Sequence, residues 1–222
     1  MKAASQSSSA LFTGLLFGAA RKGTVVGGHE LLFGDYVVSI TAPGEPRLPN
    51  GIECRVTVLP SARVMMGGGT LVVGRTAIAP GRPWDPAPAF DPIESLPAGP
   101  EPMAGALRSW APNSAVDGDP LLAGYVAGLV LLHSQKKRAE QIAARVVQEA
   151  GPLSATQLRH AALGEVPEPV HALLARGDAG PLLACGAPGI SWLRGLISAG
   201  LPFDPAKGIL LPAARTPALH RR

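Results

Sequence analysis

Two textures of hydrophobic patterning divide this chain. From Thr24 to Ala79, apolar residues come in short runs cut by glycine and proline: Gly23–Val26, Leu31–Phe33, Tyr36–Thr41, Ile52–Val58 and Leu71–Val73. Such runs predict β-strands joined by tight turns, and repeated short strands point to a compact barrel or sandwich. Met65–Val73, with Gly67-Gly68-Gly69 at its centre, reads as a hairpin. From Pro120 onward the apolar positions recur with a helical period instead. Asp119 and Pro120 suit the N-cap and first turn of a helix reaching Leu129–Leu132. Ser134–Gln148, Ala155–Leu163 capped by Ser154, a helix opened by Pro167 and Ile190–Ala199 follow. Leu11, Leu15 and Leu16 mark a small helix over residues 8–20. The fold class predicted is α+β, a small N-terminal β barrel or sandwich followed by an α-helical domain. The boundaries expected are an N-terminal helix over 1–22, the β domain over 23–86, a proline-rich linker over 87–104, the helical domain over 105–205 and a tail over 206–222.

Composition narrows the classes. Hydrophobic residues make up 46% of 222 and charged ones 16%, which supports a packed core and argues against disorder. Net charge is +4, but aromatics are 5% and do not interleave with Lys136-Lys137-Arg138, so no nucleic-acid surface is expected. Leu121–Leu132, the most apolar stretch, stops at His133, short of the roughly 20 residues a span needs, so no membrane segment is expected. Leu11–Ala20 mimics a signal-peptide core but is interrupted by Thr13 and Gly14. Cys54 and Cys185 lie too far apart in sequence for a metal knuckle or a disulfide framework. The expectation is a cytoplasmic protein with reduced thiols, no metal and no cofactor.

One phrase recurs. Gly118-Asp119-Pro120-Leu121-Leu122-Ala123-Gly124 and Gly189-Ile190-Ser191-Trp192-Leu193-Arg194-Gly195 each set a glycine ahead of an expected helix, with a second glycine six positions on. Glycine-led helix openings offer unpaired N–H groups and a positive dipole end to a small anion. Helix–helix packing explains the same glycines. The two readings stand side by side. Likewise Asp119 is either a ligand group or an N-cap, Asn50 and Gly51 either ligand groups or a turn, and Arg194 either an anion contact or a solvated charge. His160 and His171 lack metal-ligand spacing and read as surface or partly buried side chains.

Several motifs in order carry a resemblance. Leu48-Pro49-Asn50-Gly51-Ile52, Trp84-Asp85-Pro86, Leu121-Leu122-Ala123-Gly124, Leu153-Ser154-Ala155-Thr156-Gln157-Leu158-Arg159-His160-Ala161-Ala162 and Glu168-Pro169-Val170-His171-Ala172-Leu173-Leu174 resemble the family of the oxamate carbamoyltransferase H subunit, over roughly residues 20–205. The resemblance implies a subunit of a multi-subunit enzyme of anaerobic allantoin breakdown. That enzyme moves a carbamoyl group between phosphate and oxamate, and in reverse phosphorolyses oxalurate. Implied partners are a small anion (carbamoyl phosphate, oxamate or oxalurate) and the other transferase subunits. The family's Gly-Pro-Gly-Leu-Thr-Pro-Ser-Gly-Asp-Asp loop reads here Ala111-Pro112-Asn113-Ser114-Ala115-Val116-Asp117-Gly118-Asp119-Pro120, keeping Pro112, Gly118 and Asp119. Its Gly-His-Thr-Ser-Gly-Ala-Asp loop becomes Cys185-Gly186-Ala187-Pro188-Gly189-Ile190-Ser191, keeping Gly189. The candidate substrate-binding residues are therefore Asn50, Gly51, Asn113, Gly118, Asp119, Gly189 and Ser191, with no catalytic residue assigned. The alternative is a non-catalytic paralogue that binds a small acid or regulates a partner.

Overall fold

In a computed structural model, residues 2–89, 95–102, 107–108, 117–204, 207 and 209–210 are described. The first half is a closed eight-stranded barrel. Its strands are β1 (Lys2–Ser7), then after helix α1 (Ala10–Phe17) β2 (Arg21–Val25), β3 (Glu30–Phe33), β4 (Tyr36–Thr41), β5 (Gly51–Glu53), β6 (Val64–Gly67), β7 (Thr70–Val73) and β8 (Thr76–Trp84). Their order around the barrel is β1-β5-β4-β3-β2-β6-β7-β8. Two pairings are parallel, β1 with β8 and β4 with β5, and the rest are antiparallel. Leu31, Val38, Ile40, Ile52, Met66, Leu71 and Ile78 fill the interior, and α1 adds Phe12, Leu15 and Leu16 to the same cluster. The β6–β7 hairpin turns at Gly68 and Gly69 with φ of 56° and 78°. Two consecutive left-handed residues match the twist of a two-residue hairpin, and glycine takes that conformation without strain. The N–H groups of both glycines bond Gly18 O and Leu16 O at 2.9 Å, tying the hairpin to the end of α1.

The second half, after the short pair β9 (Leu107–Arg108) and β10 (Asp117–Gly118), is helical: α2 (Pro120–His133), α3 (Lys136–Val147), α4 (Pro152–Ala162), α5 (Glu168–Arg176), α6 (Gly180–Ala184) and α7 (Ala187–Ser198), with a last strand pair β11 (Phe203–Asp204) and β12 (Ile209–Leu210). Helix α2 is apolar nearly all round, the pattern of a helix buried on every side, and Leu122 through Leu129 are all buried. It is the spine of the helical core, enclosed by α3, α4 and α7.

Three expectations change. Residues 1–22, expected as one N-terminal helix, hold a barrel strand, a helix of eight residues and the start of β2; the polar Lys2–Ser7 carries little apolar signal because its pairing with β8 and β5 is a long-range property. Residues Pro80–Trp84, beyond the strand-type runs expected up to Ala79, extend β8. Here the parallel pairing to β1 is irregular around Ala4 and Gln6, and Gln6 Oε1 accepts the Gly81 N–H at 2.8 Å. Ile52–Val58 yields only the three-residue β5.

The repeated glycine phrase resolves into a helix crossing. Gly124 of α2 lies on the Trp192 carbonyl of α7, Gly195 of α7 lies on Leu121 O and Tyr125 N of α2, and Gly128 faces Ala199 and Leu196. Contacts advance in the same direction along both helices, so α2 and α7 run parallel with backbones touching. A Cβ on Gly195 would sit 2.7 Å from Tyr125 N and nearer still to Leu121 O, both backbone atoms that cannot swing away. Gly195→Ala is therefore expected to cost about 1–3 kcal/mol or more through overpacking. Gly14→Ala, in the exposed middle of α1 with open space around it, should instead gain about 0.5–1 kcal/mol. Urea denaturation of the two variants checks the contrast, and equal effects would contradict the packing geometry.

Candidate functional site

Strand β4 is buried along its whole length, because the barrel interior covers one side and helix α4 the other. The polar groups of Val37 and Ser39 under α4 are satisfied from within the protein. The Val37 N–H donates to Thr156 Oγ1 at 2.9 Å, and that hydroxyl donates onward to Pro152 O at 2.8 Å. Asn50 Nδ2 donates to Val37 O at 2.9 Å and Ser39 Oγ at 3.0 Å, while the Asn50 carbonyl accepts the Ser39 N–H. Asn50 thus acts as a side-chain splice that lays β5 alongside β4.

Next along this seam lies a closed polar network. His160 of α4 is 2% exposed, with Nδ1 2.5 Å from Glu165 Oε2 and Nε2 2.7 Å from Tyr36 OH. Ser9 Oγ donates to the same Glu165 oxygen at 2.7 Å. With Nδ1 donating to the carboxylate, the other nitrogen of a neutral imidazole accepts the Tyr36 O–H. Burial pushes the Tyr36 hydroxyl well above its ordinary value and the Glu165 charge adds to this, against a smaller opposing effect of Arg159, so the phenol keeps its proton. A hydrolytic relay places nucleophile and acid on opposite nitrogens of the histidine. Here Ser9 and Glu165 share the Nδ1 side, so the geometry is a clasp between barrel and helices.

The rim of the seam is charged and aromatic. Arg47 donates to Glu168 Oε1 at 2.5 Å from its side chain and to Oε2 at 3.1 Å from its backbone, and lies 5.3 Å over the Trp84 ring. Trp84 meets His171 edge-on at 5.8 Å between centroids. Burial works to raise the Glu168 carboxyl, but the Arg47 hydrogen bonds and charge outweigh it and hold the group below its ordinary value. Burial lowers His171, more than the Pro86 backbone and the Asp85 and Glu168 charges raise it.

Between network and rim sits a cavity of about 20 Å³, room for about one water molecule. The barrel contributes Glu30, Ser39 and the Leu48-Pro49-Asn50 loop. The helical half contributes Gln157 and His160 from α4, Glu165, and Trp192 from α7.

Of the predicted site residues that are described, Asn50 alone borders this cavity. Gly51 follows it in β5, its N–H bonding Leu48 O, and a Cβ there would fall 2.9 Å from that oxygen. Asn113 lies outside the described residues. Gly118 pairs with Leu107 and leads into Asp119, which is 5% exposed and accepts the Leu122 N–H at 3.0 Å as N-cap of α2. Gly189 does not open its helix. Helix α7 starts at Ala187 after Gly186 (φ 69°), and Gly189 lies inside the first turns, pressed against the Leu182 carbonyl by the short helix α6 that sequence reasoning missed. Ser191 is half-buried within α7, and Arg194 is exposed. His160, expected at or near the surface, is fully enclosed. Glu30, Gln157, Glu165 and Trp192 were not anticipated; a glutamate heading the apolar run Leu31-Leu32-Phe33 was the signal available for Glu30. Burial raises the Cys185 thiol, the opposite of an activated nucleophile. Among the described residues no group of three or more His, Cys, Asp or Glu is placed to hold a metal ion, and no helix is long and apolar enough to cross a membrane. No protein-family model, curated protein or solved structure matches the chain.

Tyr36→Phe leaves His160 Nε2 buried without a partner and is expected to cost about 1–3 kcal/mol. Arg159→Ala removes the rim ion pair to an exposed Asp35 and should cost no more than about 1 kcal/mol; chemical denaturation separates the two.

The His171 shift has a definite sign. Its folded value lies below the ordinary 6.5, so the unfolded chain takes the proton first. The stability is complete above pH 6.5 and declines as pH falls through that value. Glu168, held below its ordinary 4.5, contributes above that pH and loses its contribution only as pH falls further. His171→Phe should flatten the urea midpoint between pH 6.5 and 4.5 while leaving the loss below 4.5. An unchanged slope between these values would contradict the assignment.

Proposed function

We propose that this chain is a divergent, non-catalytic relative of the oxamate carbamoyltransferase H subunit, a small-acid-binding or regulatory member of a complex whose other subunits carry the carbamoyl transfer. The observation that carries this reading is the position of Gly189. The second of the two glycine-led openings lies within α7 against the Leu182 carbonyl, so its free N–H groups are not available to cradle a second anionic group. Replacement of the threonine, serine, histidine and aspartate of the family loops removes the groups that would orient a carbamoyl substrate. The other motifs of the resemblance, around Asn50, Trp84, His160 and Glu168, line the barrel–helix seam as structural contacts. Neither cysteine is in a disulfide, which suits work in the cytoplasm.

A second reading, an active carbamoyltransferase-like subunit that phosphorolyses oxalurate, is favoured by Asp119. This acid is buried at the start of α2, and α7 runs parallel, so both helix dipoles present their positive ends toward the same end of the molecule.

The two readings separate in one assay, carbamoyl phosphate formation from oxalurate and phosphate by the chain alone and with cognate partner subunits. The lone chain is expected to be inactive. Asp119→Ala should lower its stability by about 0.5–2 kcal/mol as a lost N-cap. Robust turnover by the lone chain, abolished by Asp119→Ala with stability intact, would establish the second reading instead.

A further inference from the structure

Glu30 stands apart from the satisfied polar groups of the seam. It opens β3 directly across from Ser39 of β4 and is 1% exposed. Glu30 lines the cavity and its Oε2 is buried without a hydrogen-bond partner among the described residues; Gln157 of α4 lines the same cavity, and its Oε1 is likewise buried and without one. Both atoms accept hydrogen bonds and cannot donate to each other. Ser39 Oγ supplies a third oxygen, and Glu165 adds a second carboxylate whose Oε2 is already taken by Ser9 and His160. No lysine or arginine among the described residues lines this space.

The occupant this arrangement selects is water-sized and brings donors or positive charge. A water could bridge the two oxygens, and a positively charged occupant would in addition offset the charge of a buried carboxylate. A divalent metal would draw more ligands than are present. A monovalent cation of the size of water offsets the charge and meets the acceptors together. Trp192 of α7 is also among the lining residues.

We propose that the cavity between β3, β4 and α4 is a binding site for a single water-sized monovalent cation, ammonium in preference to potassium, held by Glu30 and Gln157. This inference does not rest on the carbamoyltransferase reading. Because its ligands come from both halves of the chain, the bound cation ties barrel and helices together and stabilises the folded state by linkage.

The test is the melting temperature of the full chain at fixed neutral pH, titrated with ammonium, potassium, sodium or tetramethylammonium chloride at matched ionic strength. Tetramethylammonium is too large for the cavity and sets the baseline. Ammonium at roughly ten times its dissociation constant should raise the melting temperature by about 3–6 °C over that baseline, with a smaller rise for potassium. Glu30→Gln, neutral and of the same shape, should abolish the difference between salts. Identical melting in all four salts, or a shift that survives in Glu30→Gln, would overturn the proposal. Should Glu30→Gln fail to fold, nitrogen-15 ammonium added to the wild-type chain decides: a bound resonance with Overhauser contacts to the Trp192 ring protons supports the site, and its absence overturns it.

Discussion

The constraint from which the rest of this molecule follows is the burial of β4 on both sides. A strand inside a barrel ordinarily turns one side to solvent, where water satisfies whatever is polar. Here α4 covers that side, and each polar group beneath it needs an internal partner. Thr156, Asn50 and His160 are those partners, for the Val37 N–H, the Val37 carbonyl with Ser39, and Tyr36 respectively. The interface between barrel and helices is consequently polar at its centre and specific in register. Sliding α4 by one residue would take Thr156 and His160 away from their partners at once, which an apolar interface would tolerate far better.

Helical packing on the other side of α4 obeys a second, steric rule. The repeated phrase places Gly124 and Gly195 where two parallel helices touch backbone to backbone, and Gly128 meets Ala199 one turn further on. Small residues at that spacing allow the close approach, and nothing larger fits beside the Leu121 and Trp192 carbonyls. The similarity of the two segments thus follows from each being the other's partner: both helices face the same requirement at the same contact.

Legibility in the sequence tracked how local each signal was. Strands β3, β4 and β7 and the Gly68–Gly69 turn emerged from runs of apolar residues and punctuation that act over a few positions, as did the Asp119 cap. Strand β1 did not, because Lys2–Ser7 owes its conformation to partners near residues 52 and 80. Helix α6 was hidden by its five-residue length, and without it the start of α7 was misplaced by a turn, which moved Gly189 from the interior of the helix to its start. The candidate site was less legible still. Its members come from β3, β4, α4, α7 and the loops before β5 and α5, and no spacing in one dimension brings Glu30 to Gln157. The motifs around Asn50, Trp84, His160 and Glu168 were visible as motifs, and the structure shows that they meet along one seam.

Closure of the barrel by β1 has a consequence for the order in which the protein is made. Strand β1 pairs with β8, whose residues are made some seventy-odd positions later. Ser9, two residues beyond the end of β1, hydrogen-bonds Glu165, 156 residues downstream. During synthesis β1 has no neighbour until β5 (Gly51–Glu53) is made and no second one until β8, while hairpins such as β3–β4 and β6–β7, with partners only a few residues away, form at once. Until Trp84 at the end of β8 is made, the sheet cannot close and keeps exposed edges. A nascent chain in this state is most vulnerable to pairing with another copy of itself, and the polar, weakly β-forming sequence of Lys2–Ser7 leaves the strand that must finally fill the gap slow to adhere elsewhere.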